Sequence, residues 1–378
     1  MKTLILGGGA QGKATLLDLT RNKEIQITIA DNNTQNIKEF IKKQKIKQHI
    51  TIIEIDANNK EELKKLFKKN KIVIDLLPTI FRKHITEIAI ETKTNLVNTS
   101  FSYHIEELSN QITQAKIIIM PEAGLDPGID LILAGEAKKR FDEITHFASA
   151  CGGVPTKEAC DNPLNYKISW NFEGVLSAYK RPANIIEQGN IINIEPEELF
   201  NYSEEIEIET IGKMEMYPNG YSTRYAETLE LNNVPNVARY TLRWPGHSDF
   251  WKKIIQLGII DDEPILGISP KQYLAKVLES KLQYKENEKD LVVLRNEVKG
   301  KIKGKEKTLT QTLIDTKDKT GLMAMNRTVG FTASIIAQMI LNKKITKKGL
   351  LNPAKDIPYP EFIKELKKRK IKIKETLK

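Results

Sequence analysis

Short apolar runs alternate with amphipathic stretches over the first 120 residues, and this alternation limits the fold more than any other feature. Six runs have the composition of strands, and they lie at 3–6, 25–30, 50–55, 72–76, 95–97 and 117–120. Between them, Leu63, Leu66 and Phe67 fall at the i, i+3, i+4 spacing of one helix face. Strand and helix in this order predict a doubly wound parallel sheet. Apolar runs without polar alternation are typical of strands buried on both sides.

A glycine-rich turn follows the first run. Gly7, Gly9 and Gly12 match the spacing G-x-G-x-x-G, with Ala10 and Gln11 between the last two glycines. In this motif the first glycine permits a tight turn, and the second lets the backbone approach a pyrophosphate. The third lets the helix pack against the strand, and the helix N-terminus presents N–H groups to the anion. The turn therefore predicts a dinucleotide-binding site.

Two aspartates follow the next two predicted strands. Asp31 ends the second strand, nineteen residues after Gly12, where a carboxylate can accept hydrogen bonds from ribose hydroxyls. A carboxylate there repels a 2′-phosphate, and no arginine follows it at 32–34, so we expect NAD to be favoured over NADP. Asp56, after the third strand, is placed to accept from the adenine amino group or, equally, to cap the following helix.

Composition excludes several classes of protein. Hydrophobic residues make up 40% and charged residues 29% of 378 residues, which is typical of a globular chain of two or three domains. No apolar run approaches the roughly 20 residues that span a bilayer, and the first strand begins too early for a signal peptide. We therefore expect a cytoplasmic protein. With two cysteines and five histidines, neither a disulfide framework nor a structural zinc site is expected.

The net charge of +10 would by itself suggest a nucleic-acid partner. However, the last eighteen residues hold eight Lys or Arg against three Glu and supply half of that excess. No aromatic residues interleave with a basic run in the manner of a nucleic-acid-binding motif. We therefore expect a small-molecule substrate, with neither nucleic acid nor membrane as a partner.

A proline–glycine turn follows the sixth predicted strand, at the edge of the sheet where open α/β folds bind their ligands. It leads into a predicted helix at 129–140, and its sequence is Leu125-Asp126-Pro127-Gly128-Ile129-Asp130. Taken alone, this is a turn in which Asp126 or Asp130 caps a helix.

The same turn resembles the Leu-Asp-Pro-Gly-Ile-Asp motif of the glutamate-forming saccharopine dehydrogenase family. Further matches follow in order along nearly the whole chain: CGGVP at 151–155, DNPL at 161–164, YKISW at 166–170, GVL at 174–176, YPN at 217–219, TLRW at 241–244 and NRTVG at 326–330. The resemblance implies an NAD(P)-dependent oxidoreductase acting on a CH–NH bond. Such an enzyme oxidises saccharopine reversibly to 2-aminoadipate 6-semialdehyde and glutamate.

The resemblance also implies the domain organisation. A Rossmann domain would be formed by 1–128 together with 325–378, and a mixed α/β substrate domain by 129–324, with a small helical insertion at about 247–285. The sequence agrees, since alternation at 290–298 predicts a half-exposed strand and the lysine-rich 299–307 a turn. The apolar run 329–341 predicts a long buried helix. A homodimer is common for such folds.

Site residues are implied position by position. Asp126 and Cys151 match the family's active-site acid and thiol, although a lone cysteine is more often a small buried apolar residue. The two glycines after Cys151 would let substrate approach closely. Leu125 and Ser169 match cofactor-binding positions. Ser100 matches a substrate-contacting serine.

The substrate carries three carboxylates, and the planar fork of arginine suits a carboxylate. Arg243 matches a family substrate arginine. Arg224 is a second candidate, in the segment 219–224, which departs from the commoner family version with an arginine beside the asparagine. The tyrosine that often follows the serine in the family is Phe101 here, and Tyr103 is a nearby source of a hydroxyl.

Two alternatives stay open. One is lysine 6-dehydrogenase, or another amino-acid dehydrogenase of the same superfamily, which would need fewer arginines for a substrate with one carboxylate. The other is a non-catalytic NAD-sensing or nucleic-acid-binding protein. That protein would keep Gly7, Gly9 and Gly12 but would need neither Asp126 nor Cys151.

Overall fold

The computed structural model describes residues 1–169 and 171–378, without the side chain of His104. Trp170, the last residue of the 166–170 motif, lies outside the described residues. The chain divides into two compact units. The first comprises Met1–Glu136, Lys319–Leu322 and Asn326–Lys372, and the second comprises Ala137–Asp318, Met323–Met325 and Ile373–Lys378.

A seven-stranded parallel sheet forms the centre of the first unit. Its strands are β1 (Lys2–Leu6), β2 (Gln26–Asp31), β3 (Ile50–Glu54), β4 (Ile72–Asp75), β5 (Asn95–Asn98), β6 (Ile118–Met120) and β15 (Gly349–Leu350). They lie in the order β15-β6-β5-β4-β1-β2-β3, and every pairing is parallel. This is the doubly wound order, whose switch point lies between β1 and β4. Each predicted strand lies within two residues of an observed one.

The helices described in this unit, wholly or mainly, are α1 (Ala10–Leu19), α2 (Gln35–Lys43), α3 (Lys60–Lys69), α4 (Arg82–Thr92), α5 (Ser109–Ala115), α6 (Ile129–Lys138), α11 (Ala324–Leu341), α12 (Pro353–Asp356) and α13 (Tyr359–Lys368). In α3 the predicted face is buried, with Leu63, Leu66 and Phe67 in the core below β1 and β4. Glutamates in its first turn and lysines in its last turn complement the helix dipole. Among the described residues, no helix is long and apolar enough to cross a membrane.

A nine-stranded mixed sheet forms the second unit. Its strands are β7 (Glu143–Pro155), β8 (Ala183–Glu187), β9 (Asn190–Ile194), β10 (Glu204–Ile208), β11 (Gly212–Pro218), β12 (Asn236–Arg243), β13 (Asp290–Ile302), β14 (Lys305–Thr316) and β16 (Ile373–Leu377). The main order is β10-β11-β12-β7-β13-β14-β16, with β8 and β9 attached to β12. Among the described strand pairs of this sheet, only β12 and β7 run parallel. The helices are α7 (Phe172–Tyr179), α8 (Ser222–Leu229), α9 (His247–Gln256) and α10 (Pro270–Glu279).

The structure of this second sheet differs from two expectations based on the sequence. The lysine-rich 299–307 was expected to be a turn, but β13 and β14 continue through it and leave a turn at Lys303 and Gly304, both with positive φ. The other lysines of this segment, at 299, 301, 305 and 307, occupy strand positions. The expected Rossmann domain included 325–378, whereas β16 at the chain end pairs with β14 in the second sheet. The alternating sequence of 371–377 suits a strand.

Short 3₁₀ helices complete the chain, at Thr79–Phe81, Ser102–His104, Glu106–Leu108, Lys157–Ala159 and Pro196–Tyr202.

Candidate active site

The glycine turn after β1 forms an open cradle at the start of α1. Gly7 has φ +95°, and a Cβ there would lie 2.9 Å from the carbonyl oxygen of Leu76. A Cβ on Gly12 would lie 1.9 Å from the carbonyl oxygen of Gly7, so α1 packs directly on the turn. By contrast, a Cβ on the exposed Gly9 would meet nothing within 4 Å. The glycines therefore leave space only at the helix end.

Backbone amides of the first turn of α1 point toward this space. Gly9 is the N-cap, and no side chain caps the helix. The amide of Lys13 donates to the carbonyl oxygen of Gly9 at 2.9 Å, which leaves Ala10, Gln11 and Gly12 without helical acceptors. Unsatisfied amides and the positive end of the helix dipole suit an anion. The cradle fits the pyrophosphate of a dinucleotide.

Asp31 is bound to this turn. Its Oδ2 accepts from the Gly8 amide at 2.6 Å, and its Oδ1 accepts from the Asn33 amide at 2.8 Å. Both carboxylate oxygens of Asp31 therefore accept hydrogen bonds from backbone amides, and the side chain fixes the glycine turn against the end of β2.

Asp56 is exposed after β3. Its Oδ1 accepts from the amide and from Nδ2 of Asn58, both at 2.9 Å. The cap of α3 is Asn59, whose side chain accepts from the Glu62 amide. The alternative that Asp56 caps the helix is therefore wrong, and its contact with adenine stays a prediction.

Ser100 lies in the loop after β5, and this loop is fixed by hydrogen bonds on both sides. The Ser100 amide donates to Asn98 Oδ1 at 3.0 Å, and the Ser100 carbonyl accepts from the Glu122 amide at 2.9 Å. Glu122 Oε1 also accepts from the Ser102 amide at 3.1 Å. Nη1 of Arg82 donates to the Phe101 carbonyl at 2.9 Å. The loop that carries Ser100 therefore has a defined backbone.

Sequence reasoning missed Arg82 and Glu122, which are both buried. Burial lowers the pKa of Arg82, against the opposing effects of Tyr103, Asp75 and Glu122. Burial also raises the pKa of Asp75, at the end of β4, to about 7. The only sequence signal for Arg82 and Glu122 was their position after strands of the parallel sheet, because charged residues that follow parallel strands meet at one edge of the sheet.

The two aspartates of the turn after β6 have different environments. The Asp126–Pro127 peptide bond is cis. Gly128 has φ +147°, and a Cβ there would lie 2.1 Å from the Gly124 carbonyl oxygen. Asp130 is fully buried, its Oδ1 accepts from the Gly128 amide at 2.6 Å, and its amide donates to the Leu125 carbonyl at 3.2 Å. Asp130 therefore stabilises the turn, while Asp126 stays partly exposed.

In the second unit, Cys151 lies in the middle of the mixed sheet. It is buried in β7, in register with Thr241 of β12 and Leu294 of β13. A Cβ on Gly152 would lie 2.3 Å from the Leu242 carbonyl oxygen.

On Gly153, a Cβ would lie 2.5 Å from Met325 Cε and 3.3 Å from Ser169 Oγ. These two glycines were expected to make room for substrate. Instead, protein atoms of the same unit fill the space, and Ser169 lies beside the strand.

Arg243 ends β12 and is 7% exposed. Its Nη1 donates to the Leu242 carbonyl at 2.8 Å, and its guanidinium carbon lies 5.4 Å from the ring centroid of Tyr166. Its Nε has no hydrogen-bond partner among the described residues. Arg243 thus contacts neutral groups in the structure. Its Nε–H can still donate to an anion.

Arg224 has a different environment. It lies on α8 with 59% of its side chain exposed, and it pairs with Glu227 at 3.2 Å, one turn further along the helix. This is the geometry of a surface ion pair, so its contact with substrate stays a prediction. Within the described part of the chain, no group of three metal-ligating side chains could hold an ion.

The parallel sheet, its order and the cradle at its switch point define the first unit as the dinucleotide-binding domain of a dehydrogenase. The model of the saccharopine dehydrogenase NADP binding domain matches residues 3–120, and that of the saccharopine dehydrogenase C-terminal domain matches residues 124–371. The chain belongs to the saccharopine dehydrogenase family, an oxidoreductase family. The family and the fold class that the sequence implied are confirmed.

Individual relatives agree. The chain is 30% identical to the NADP(+)-dependent, L-glutamate-forming saccharopine dehydrogenase of Saccharomyces cerevisiae, over 96% of both chains. It is 29% identical to the enzyme of that name from Pyricularia oryzae, over 97% of this chain and 96% of the relative. It is 28% identical to rat mitochondrial alpha-aminoadipic semialdehyde synthase, of which the match spans 46%. The apo structure of the yeast saccharopine dehydrogenase superimposes with a TM-score of 0.90 at 27% identity, over 100% of this chain and 99% of that one.

The expected preference for NAD over NADP is wrong. The matching family model is that of an NADP-binding domain, and the yeast and Pyricularia relatives are named as NADP(+) enzymes. The preference rested on Asp31 being directed at the ribose. In the structure both of its carboxylate oxygens bind the amides of Gly8 and Asn33. Its position at the end of β2 is therefore explained by the turn and does not establish a contact with the cofactor.

Proposed function

We propose that this chain catalyses the reversible NADP-dependent oxidation of saccharopine to 2-aminoadipate 6-semialdehyde and glutamate. The observation that carries the proposal is similarity over the full length to the L-glutamate-forming yeast enzyme, in sequence and in fold. The names of these relatives favour saccharopine oxidation over the lysine 6-dehydrogenase alternative. Arg243 is buried, and the contacts shown for it among the described residues include no carboxylate, which also favours a substrate with several carboxylates.

The cofactor would lie on the cradle of Gly7, Gly9 and Gly12, with its pyrophosphate against the amides of Ala10 and Gln11. When bound, NADP supplies a hydride acceptor, so the protein must orient the reactants and exchange protons. We propose further cofactor contacts from Asp56, Leu125 and Ser169, and an indirect role for Asp31. Asp31 would act by holding the glycine turn in shape.

Proton exchange is assigned to the turn after β6. The amine nitrogen of saccharopine must lose a proton on oxidation, and the carbinolamine formed with water must exchange protons before it collapses. We propose that a carboxylate oxygen of the partly exposed Asp126 takes these protons. Cys151 would assist with its thiol. Asp130 is already used in the turn and has no such role.

Carboxylate recognition is assigned to Arg243, with Ser100 as a further substrate contact. The Nε–H of Arg243 has no hydrogen-bond partner among the described residues. Together with another N–H group of the guanidinium, it can bind a carboxylate through two hydrogen bonds. Arg224 stays a second candidate on an exposed helix. Tyr103 lies against Phe101, with ring centroids 5.5 Å apart, and supplies a phenol in the loop where the family tyrosine is replaced.

A substrate screen tests the proposal. Saccharopine, lysine, and 2-aminoadipate 6-semialdehyde with glutamate are each offered with NADP or NAD, and nicotinamide absorbance is followed. We expect saccharopine with NADP to react fastest. Oxidation of lysine but not of saccharopine would support lysine 6-dehydrogenase, and no reaction with any pair would support a non-catalytic protein. A cytoplasmic location and a homodimer are also proposed, and fractionation and light scattering test them.

A further inference from the structure

The long helix α11 packs directly on the turn of α1 that carries the pyrophosphate cradle. Its contact residue is Gly330, which is buried. A Cβ at that position would lie 2.6 Å from the carbonyl oxygen of Gln11, 2.8 Å from Cβ of Ala14 and 3.0 Å from the amide nitrogen of Thr15. These distances are shorter than ordinary contacts of a Cβ, so only glycine lets the two helices approach this closely.

The atom that Gly330 approaches belongs to the same peptide group as a cradle amide. The carbonyl of Gln11 and the N–H of Gly12 form one planar trans peptide, with the oxygen and the hydrogen on opposite sides. The oxygen lies against Gly330, and the N–H is one of the three amides without a helical acceptor. Because the peptide group is rigid, a displacement of the oxygen also turns the N–H away from its present direction.

Two buried hydrogen bonds hold α1 and α11 together beside this contact. Thr15 Oγ1 donates to the carbonyl oxygen of Gly330 at 3.0 Å. One turn further along both helices, Ser334 Oγ donates to Oδ2 of Asp18 at 2.7 Å. The other carboxylate oxygen of Asp18 accepts from Nε of Arg369 at 2.7 Å. The side chains of Thr15, Ser334 and Asp18 are fully buried, so α11 fixes α1 over two successive turns without competition from water.

The cradle needs such a restraint because the turn before α1 restricts its backbone little. That turn consists of Gly7, Gly8 and Gly9, and glycine has the widest choice of backbone conformation. Donors that bind an anion tightly must be held within about half an ångström of their bound positions before the anion arrives. Asp31 restrains the turn through the amide of Gly8, and α11 supplies the corresponding restraint on the helix itself.

We infer that Gly330, Thr15 and Ser334 are positioning residues for the dinucleotide: through the packing of α11 on α1 they hold the cradle amides in the direction that binds the pyrophosphate. They act through the backbone of α1 and not by contact with the cofactor. This assigns a role to the last residue of the 326–330 motif, which the proposed reaction does not use. The inference rests on the proposed binding of NADP at the cradle.

A pair of glycine variants tests the inference. In Gly330→Ala the new Cβ displaces the first turn of α1. Gly135→Ala is the matched control, because a Cβ on this residue of α6 would lie 2.0 Å from the Ala354 carbonyl oxygen, in the same unit but against α12. Both variants should lower Tm. Only Gly330→Ala should also raise Kd for NADP, by about five- to fiftyfold, which is part of the value of one hydrogen bond to a charged group.

Threonine variants ask the same question without a steric clash. Thr15→Val removes the hydrogen bond to α11 and keeps the shape of the side chain, so Kd for NADP should rise about two- to fivefold. Thr15→Ser keeps the hydroxyl and should bind NADP as the wild type does. Thr332→Val is the control, because it loses a buried hydroxyl bond of 2.6 Å to the Thr328 carbonyl within α11 itself, and its Kd should not change.

Calorimetric titration with NADP alone gives each Kd, so the result does not depend on turnover. A wild-type Kd in folded Gly330→Ala, or an equal rise of Kd in Gly135→Ala, would overturn the inference. If Gly330→Ala does not fold, a wild-type Kd in Thr15→Val has the same consequence. Conversely, wild-type protein that binds NADP but does not oxidise saccharopine contradicts the proposed function, and the ratios of Kd still decide the inference.

Discussion

Replacing Arg243 by methionine distinguishes a substrate-binding arginine from a structural one. The change removes a cation of which 7% is exposed, and keeps a long apolar side chain of similar reach. If Arg243 binds a substrate carboxylate, its loss leaves that carboxylate unpaired in the site, which costs about 2–4 kcal/mol. Since about 1.4 kcal/mol corresponds to a factor of ten, KM for saccharopine should rise by one to three decades.

The free energy of unfolding, by contrast, should change little. Burial of a guanidinium costs several kcal/mol. Against this, Arg243 gains a charged hydrogen bond to Leu242, worth roughly 1.5–3 kcal/mol, and a cation–π contact with Tyr166, worth about 1–2 kcal/mol. These contributions nearly cancel. Arg243→Met should therefore change the free energy of unfolding by no more than about 2 kcal/mol.

Arg369→Met is the matched control, because Arg369 is equally buried but pairs with carboxylates. Its Nε lies 2.7 Å from Asp18 and its Nη1 lies 2.7 Å from Glu365. Removing one partner of a buried pair costs about 3–5 kcal/mol, or roughly 4–6 °C in Tm for a chain of this length. Kinetics with saturating NADP and thermal unfolding of both variants give the comparison. If Arg243→Met lowers Tm as much as Arg369→Met and leaves KM unchanged, Arg243 is structural and the reasoning fails.

Three further predictions concern the first unit. Asp126→Asn should lower kcat by roughly 10²–10⁴ with little change in NADP affinity, and a near-normal kcat would leave Asp126 as a turn residue. Gly9→Ala should weaken NADP binding without lowering Tm. Gly12→Ala should lower both the NADP affinity and the stability, the latter by about 1–3 kcal/mol, since its Cβ would lie 1.9 Å from the Gly7 carbonyl oxygen. Calorimetric titration and thermal unfolding of the two variants check this prediction. The pKa of Asp75, raised by burial to about 7, means that the folded state binds this proton more tightly than the unfolded one. The stability contributed by the protonated carboxyl is therefore complete below pH 4 and lost as pH rises to 7. Asp75→Asn should stabilise the protein increasingly over that range, toward roughly 4 kcal/mol, and denaturant titrations that show a constant difference would contradict this.

The first unit could be predicted closely because its signals are local. The buried strands β1, β4 and β6 are largely continuous apolar runs, and the turn after β1 needs glycine at Gly7 and Gly12 for steric reasons. The observed strands therefore lie within two residues of the expected ones. The partners of those strands, including β15 beside β6, depend on contacts between distant segments, which periodicity does not reveal.

The side-chain environment of the candidate site is where sequence reasoning was weakest. Asp31 was expected to act on the cofactor, but both of its oxygens bind backbone amides. Arg82 and Glu122 were not singled out, although together they fix the loop of Ser100. In each case the missing information is which donor lies within 3 Å of which acceptor. That depends on how loops from different strands meet at the edge of the sheet.

The two arginines proposed for substrate binding show what the structure adds. In the sequence, Arg224 and Arg243 differ only in how well each matches a family motif. In the structure, Arg224 is exposed and paired with Glu227, so a substrate carboxylate would have to compete with both water and that glutamate. Arg243 is buried among neutral rings with an unfilled Nε, so its desolvation is already complete before the substrate binds. A carboxylate that reaches Arg243 therefore forms its hydrogen bonds without that further cost, and this is why Arg243, and not Arg224, should dominate the affinity for saccharopine.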